Sequence, residues 1–209
     1  MKFEWRKHEK ALYGAKSTPA FVDIPTQNFI MIKGNGNPND KDFSDRVTAL
    51  FSLAYAIKME YKSIAAKNFL SNEIHDFTVY PLEGIWKLKN TAAESASGEL
   101  LKENLEYTIM IRQPDFITAE MICAALEKVK IKKPNRLYEK IIFDTIHDGK
   151  CVELLHIGSY DKEPSSFEQM DKFVKENNLQ RITDCHREIY LTNRTKTEKL
   201  KTILRYKVN

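Results

Sequence analysis

The sequence predicts an α+β fold: two pseudo-symmetric β-α-β-β repeats forming one antiparallel sheet, with helices packed on one face and a ligand cleft on the other. Three observations predict it. The first is the order of elements. Strand, helix, strand, strand in the first half ("FIMIKGN", residues 44–61, "VYPLEGIW", "EYTIMIRQ") recurs in the second ("VELLHIGSY", 166–177, "HREIYLT", "TILRYKV"). The second is that both opening strands run into a glycine, Gly34 and Gly158. The third is that both third elements carry a glutamate near a tyrosine, Glu83 after Tyr80 and Glu188 before Tyr190. An antiparallel sheet can leave one face for a ligand or partner. A pseudo-twofold relation would bring the two glutamate-bearing strands to one axis.

The elements follow in order. Residues 1–20, with Trp5, Tyr13 and Pro19 amid charges, form a partly ordered N-terminal arm. A strand from Asn28 to Lys33 ends at the Gly34 and Gly36 turn. Asp42 or Ser44 caps a helix whose Val47, Leu50, Phe51, Ala54, Ile57 and Tyr61 recur at helical spacing. "HDFTVYPLEGIWKLK" is strand-like on either side of Pro81, which suggests an edge position or a bulge. "AAESASGEL" reads as a surface connection and "LEYTIMIRQ" as a strand. A helix at about 116–133 joins the two repeats, about 21–114 and 136–209, within one domain of residues 21–209. "LYEKIIFDTI" turns at "HDGK" in a hairpin into "CVELLHIGSY". Ser165 and Glu168 make a capping box for a helix carrying Phe167, Met170, Phe173 and Val174. "HREIYLT", a loop at "NRTKTEK" and "TILRYKV" close the chain.

Composition narrows the function. With 42% hydrophobic and 30% charged residues the chain is too apolar for disorder, and no window approaches the ~20 apolar residues that span a bilayer. "MKFEWRKHEK" contains no apolar stretch of signal-peptide length, so a cytoplasmic protein with no membrane partner is expected. Cys123, Cys151 and Cys185 are scattered and expected to be buried free thiols, and the five histidines show no metal-ligand spacing. No metal and no cofactor is expected. The net charge of +4 with interspersed signs gives no reason to expect direct nucleic-acid binding.

Alternation in "CHREIYLTN" sets Arg187, Ile189 and Leu191 on one face and His186, Glu188, Tyr190 and Thr192 on the other. A carboxylate within a strand, between His186 and Tyr190, suits a cleft for a cationic planar ligand; the bland alternative is a surface ion pair. In "YPLEGIW", Tyr80, Glu83 and Trp86 reach one side only if Gly84 marks a bulge; otherwise they belong to an edge strand. Tyr160, after "HIGS", stands either at a cavity mouth or at a half-buried strand end. His156 is either a ligand contact or a strand histidine with its own partners. "GNGNPND" lacks the ending of a phosphate loop.

"HIGSYDKEP", "HREIYL" and "EKLKTILRYKV", with "FIMIKGNGNPN" and "YPLEGIW" in the first half, resemble the GyrI-like small-molecule-binding proteins in their stand-alone branch. These are relatives of the effector-binding domains of AraC- and MerR-type multidrug regulators. The resemblance implies a cleft lined by aromatics around a central glutamate, here Glu188 with Tyr190, to which Tyr80, Glu83, Trp86, Tyr160 and His156 would contribute. It implies binding of planar hydrophobic or cationic small molecules. Some stand-alone members resemble hydrolases that open the ring of cyclopropanoid DNA-alkylating compounds, a reaction for which Glu188, Glu83 and Tyr190 would be the catalytic residues. A protein-interaction module resembling a gyrase inhibitor is a third reading, and a homodimer or protein partner stays open. No helix-turn-helix segment fits before residue 20.

Overall fold

The computed structural model describes residues 1–67, 74–89, 102–192 and 195–209. The expected connection at 92–100 and residues 193–194 of the last loop lie outside the described residues. The arm contains β1 (Lys2–Phe3) and two short helices, α1 (Trp5–His8) and α2 (Lys10–Tyr13). Then come β2 (Ala20–Ile24), β3 (Gln27–Asn35), α3 (Lys41–Lys67), β4 (Asp76–Phe77), β5 (Leu82–Leu88) and β6 (Leu105–Gln113). The second half holds α4 (Ala119–Lys132), β7 (Ile142–Ile146), β8 (Gly149–Ile157), α5 (Glu163–Glu176), β9 (His186–Thr192) and β10 (Lys201–Lys207).

Among the described residues, eight strands form one sheet in the order β2-β8-β10-β9-β5-β6-β3-β7, and every pairing within it is antiparallel. The order is palindromic with respect to the repeat: β3, β6 and β5 mirror β8, β10 and β9. The pseudo-twofold axis passes between β5 and β9, where Gly84 faces Glu188 and Trp86 faces His186. The predicted pair of repeats and the α+β architecture are therefore present.

Each repeat also owns a leading strand: β7 answers to the expected "LYEKIIFDTI", whereas β2 is not among the expected strands. β2 leads the first repeat but pairs with β8, while β7 leads the second but pairs with β3. The "HDGK" turn consequently does not make a hairpin. Strands β7 and β8, only two residues apart, belong to opposite ends of the strand order, so the sheet curls until its edges approach. Gly149, at φ +65, accommodates that turn in the left-handed region open to glycine. "LYEK", expected as the start of the strand, falls in a 3-10 turn (Arg136–Lys140) with Leu137 and Tyr138 buried.

Alternation sorts the sheet's two faces. Ile30, Ile32, Ile109 and Ile111 meet Leu50, Leu53, Ala54 and Ile57 of α3 in the larger core. Ala125 and Val129 of α4 join that core from outside α3. Val152, Leu154, Leu204 and Tyr206 meet Met170 and Val174 of α5 on the same side of the sheet. Helices α3 and α5 thus share one face. The opposite, inward-curled face carries Phe29, Met31, Met110 and Ile85 together with the charged side chains Glu83, Arg187, Arg112, Glu153 and Arg205, all buried or nearly so.

The arm lies against that inner face and is ordered. Trp5 and Tyr13 are buried in a ring cluster with Tyr80, and Arg112 donates to Glu9 Oε2 at 2.6 Å. Pro81 precedes β5, which lies at the centre of the sheet and pairs without interruption on both sides. Neither an edge position nor a bulge is present there. Helix α5 begins at Glu163, earlier than expected, with Pro164 in its first turn. The Ser165 hydroxyl donates back to the Lys162 carbonyl instead of forming a capping box. Cys151 is buried, whereas Cys123 is exposed.

Candidate functional site

The helix-bearing face is interrupted at the pseudo-twofold axis, between the N-terminal turns of α3 and α5, by a group of polar and aromatic side chains. Glu188 is at its centre. Tyr190 donates its hydroxyl to Glu188 Oε2 at 2.8 Å, and Trp86 Nε1 donates to the Tyr190 oxygen at 2.9 Å. His186 Nε2 lies 2.8 Å from Oε1 and donates to it as the Nε2–H form. Each member of such a chain polarises the next, and both carboxyl oxygens are oriented. Burial, followed by the neighbouring Glu188 carboxyl, raises the Tyr190 pKa well above its ordinary value, so its proton stays in place as a donor.

Gly84 is directly opposite Glu188, and its lack of a side chain is used. A Cβ there would come within 2.6 Å of Trp86 Nε1. The indole folds back over Gly84 to reach Tyr190, so glycine serves close approach rather than a bulge. The indole is then held by Phe43 of α3 at 5.8 Å and by Tyr107 at 5.3 Å, spacings of ordinary aromatic contact. On the α5 side, Phe167 packs edge-on against His186 at 4.8 Å, and Tyr160 against Tyr190 at 6.0 Å. Tyr160 is 45% exposed and stands where the group meets solvent.

Sequence reasoning missed Glu163, the first residue of α5. It is one turn before Phe167 on the same helix face, is only 8% exposed, and its Oε1 has no hydrogen-bond partner among the described residues. Burial, then the charges of Glu188 and Asp161, push its pKa up to about 9. It therefore holds its proton at neutral pH. A signal was available in the sequence: Glu163, Ser166 and Met170 share the spacing of a buried helix stripe, an unusual place for an acid.

His156 spends both ring nitrogens internally. Nε2 donates to the Ser159 carbonyl and Nδ1 accepts from the Ser166 hydroxyl, each at 2.9 Å. It fixes the turn bearing Tyr160 to the start of α5. Glu83 and Tyr80 are elsewhere. Glu83 pairs across β9 with Ile189, not Glu188, so its side chain projects from the inner face. A twofold axis that keeps both helices on one face also keeps side-chain faces, so a residue on the inner face cannot be the counterpart of Glu188. Glu83 Oε2 lies 2.8 Å from Arg187 Nε as an ion pair, and Tyr13 donates to Oε1 at 3.3 Å. Tyr80 donates to Glu9 at 2.8 Å within the arm cluster. The Glu188 group accordingly sits on the helix-bearing face, whereas the sequence reading set the cleft on the bare one.

The curled antiparallel sheet of two repeats, with the Glu188 group between α3 and α5, is the architecture of a known family of small-molecule-binding domains. The chain belongs to that family: the model of the GyrI-like small molecule binding domain matches residues 17–207. Among solved structures it is similar to an uncharacterized conserved protein from Listeria innocua, at 30% identity and TM-score 0.85, covering 99% of this chain and all of that one. It is also similar to a hydrolase from Listeria innocua, at 29% identity and TM-score 0.82 with the same coverage. The EcmrR C-terminal domain shares the fold, at 13% identity and TM-score 0.52, over 92% of this chain and 97% of that one. No curated protein matches the chain. Among the described residues no helix is long and apolar enough to cross a membrane.

Proposed function

We propose that the chain binds planar hydrophobic or cationic small molecules against Trp86, Tyr190 and Tyr160, with Glu188 meeting the positive charge. The carrying observation is the arrangement of Glu188 itself. It is a mostly buried carboxyl on the helix face whose hydrogen-bond partners are a histidine and a tyrosine rather than a lysine or arginine. A buried acid that, among the described residues, has no lysine or arginine partner suits a ligand that brings a cation. Aromatic faces add stacking and cation–π contact. A planar cationic dye is expected to quench the fluorescence of Trp86 with saturation, and Trp86→Phe is expected to remove the quenching while Trp5 still emits. Saturable quenching that survives Trp86→Phe would move the site elsewhere.

A second reading, hydrolysis, is favoured by Glu163. A carboxyl that keeps its proton to about pH 9 beside a second carboxyl gives one potential acid and one potential base. For a cyclopropanoid compound, Glu188 would take a proton from water as the water oxygen bonds to a ring carbon. The electron pair of the broken carbon–carbon bond would move into the conjugated system, and Glu163 would supply a proton there. The likeness to a Listeria protein called a hydrolase supports testing it. Ring opening of a cyclopropanoid alkylator, followed by chromatography, is expected to fall at least 100-fold in Glu188→Gln. Equal turnover by both proteins removes Glu188 from the chemistry, and none by the wild type leaves binding alone.

A further inference from the structure

Resting on the binding reading above, the geometry points to a use for Glu163 that the binding of a neutral ring system would not need. We propose that Glu163 and Glu188 form a carboxyl pair holding one proton while the site is free, and that a cationic ligand displaces that proton to solvent.

The argument starts from what surrounds Glu163. From β9 it feels the charge of Glu188, and its own charge bears on Tyr190. From the turn before α5 it couples to Tyr160 and Asp161, and on its own helix Phe167 covers His186. His156 of β8 reaches only the next turn of α5, through Ser166. Two of these groups, Glu188 and Asp161, are acids whose nearness disfavours a charge on Glu163. The nearby lysines are turned away: Lys162 is exposed, and Lys102 is 3.9 Å from Asp161 at the surface. Among the described residues, therefore, no lysine or arginine pairs with either acid, and the one basic side chain in contact is His186, on Glu188. The protein does supply donors, but to Glu188, whose two oxygens are taken by His186 and Tyr190. Glu163 Oε1 is left buried and, among the described residues, unpartnered.

A buried polar atom with no partner is costly and rare in folded proteins. Two carboxyl groups in a shared low-dielectric site do not both ionise without a counter-charge. One proton satisfies that electrostatic demand but leaves Oε1 empty; a ligand ammonium, amidinium or ring nitrogen cation satisfies both. The inference also separates ligands. A neutral planar compound leaves the proton where it is, so its binding is independent of pH, whereas a cation must exchange with it. The site would then discriminate charge by proton linkage rather than by shape.

The test is calorimetric titration of the full chain at pH 7.5 in two buffers of different ionisation enthalpy, with ethidium as the planar cation and acridone as a neutral planar control. Release of about one proton per ethidium bound is expected, and none with acridone. Ethidium affinity is expected to rise about tenfold per pH unit from pH 7 and to level off above about pH 9, the range set by Glu163. Glu163→Gln, neutral at every pH, should bind ethidium without proton release and without that pH dependence. Ethidium binding with no proton released by the wild type overturns the exchange and leaves the binding reading standing. Binding of acridone but not ethidium likewise overturns it, and failure of both compounds to bind overturns the binding reading as well. The proton count on the wild type decides the matter even if the variant folds poorly.

Discussion

Arg187→Met is expected to cost about 3–5 kcal/mol of folding stability in denaturant titration, the usual scale for removing one partner of a buried ion pair. Arg187 is 4% exposed on the inner face and serves two acids at once, Glu83 from β5 and Asp148 from the turn between β7 and β8. Its guanidinium also lies 4.7 Å above the Phe29 ring. Methionine fills similar space but leaves both carboxylates buried without that cation. The triple replacement Glu83→Gln, Asp148→Asn, Arg187→Met should recover most of the loss, because it removes the orphaned charges as well. If the single change costs under 1 kcal/mol, the ion pairs do not hold the curl. Acidity reports on the same network. Burial would raise the Asp148 carboxyl, but Arg187, Arg205 and Lys207 outweigh it and hold the pKa below its ordinary value. A depressed carboxyl stabilises the fold above its unfolded value, near pH 4, and this contribution fades as pH falls through the lower folded value.

Glu188→Gln is expected to weaken binding of a planar monocation roughly 10- to 100-fold while leaving a neutral planar compound within about twofold. The range follows from losing one charge-assisted contact in a mostly buried site, about 1.5–3 kcal/mol. Shape is conserved, so a packing role alone would affect both ligands alike. The amide must also meet two donors, His186 and Tyr190, where a carboxyl accepted from both. Its NH2 end will therefore turn one of them away, and Tyr190 with Trp86 should show a shift in near-ultraviolet circular dichroism. Equal loss for both compounds would assign Glu188 to packing.

The local elements were largely legible in the sequence. Helical spacing from Val47 to Ile57 and alternation in "HREIYLT" depend on burial of one stripe or one face, and both patterns survive in the structure. Pairing was less legible. "AFVDI" is a five-residue edge strand with Phe21 half exposed, too short to announce itself, and "HDGK" looks like a hairpin turn because turn residues say nothing about which strand lies alongside. The site failed on parity. Glu83 and Glu188 look equivalent when the repeats are aligned by residue type. The register offsets them by one, which in a sheet means opposite faces. Glu163 went unread because an acid beside a proline at a helix start ordinarily faces water.

The crossing of the leading strands has a further consequence. Ala20 pairs with Glu153, and Gln27 with Ile146, so each half of the chain finishes the edge of the other. The halves resemble clasped hands rather than two bricks laid side by side. Pairings across such sequence distances close late, which favours slow, all-or-none folding over stepwise assembly of one repeat on the other. Whatever doubling the pseudo-symmetry reflects, the present molecule is indivisible: a fragment holding one repeat would expose a bare sheet edge and half of the central strand pair.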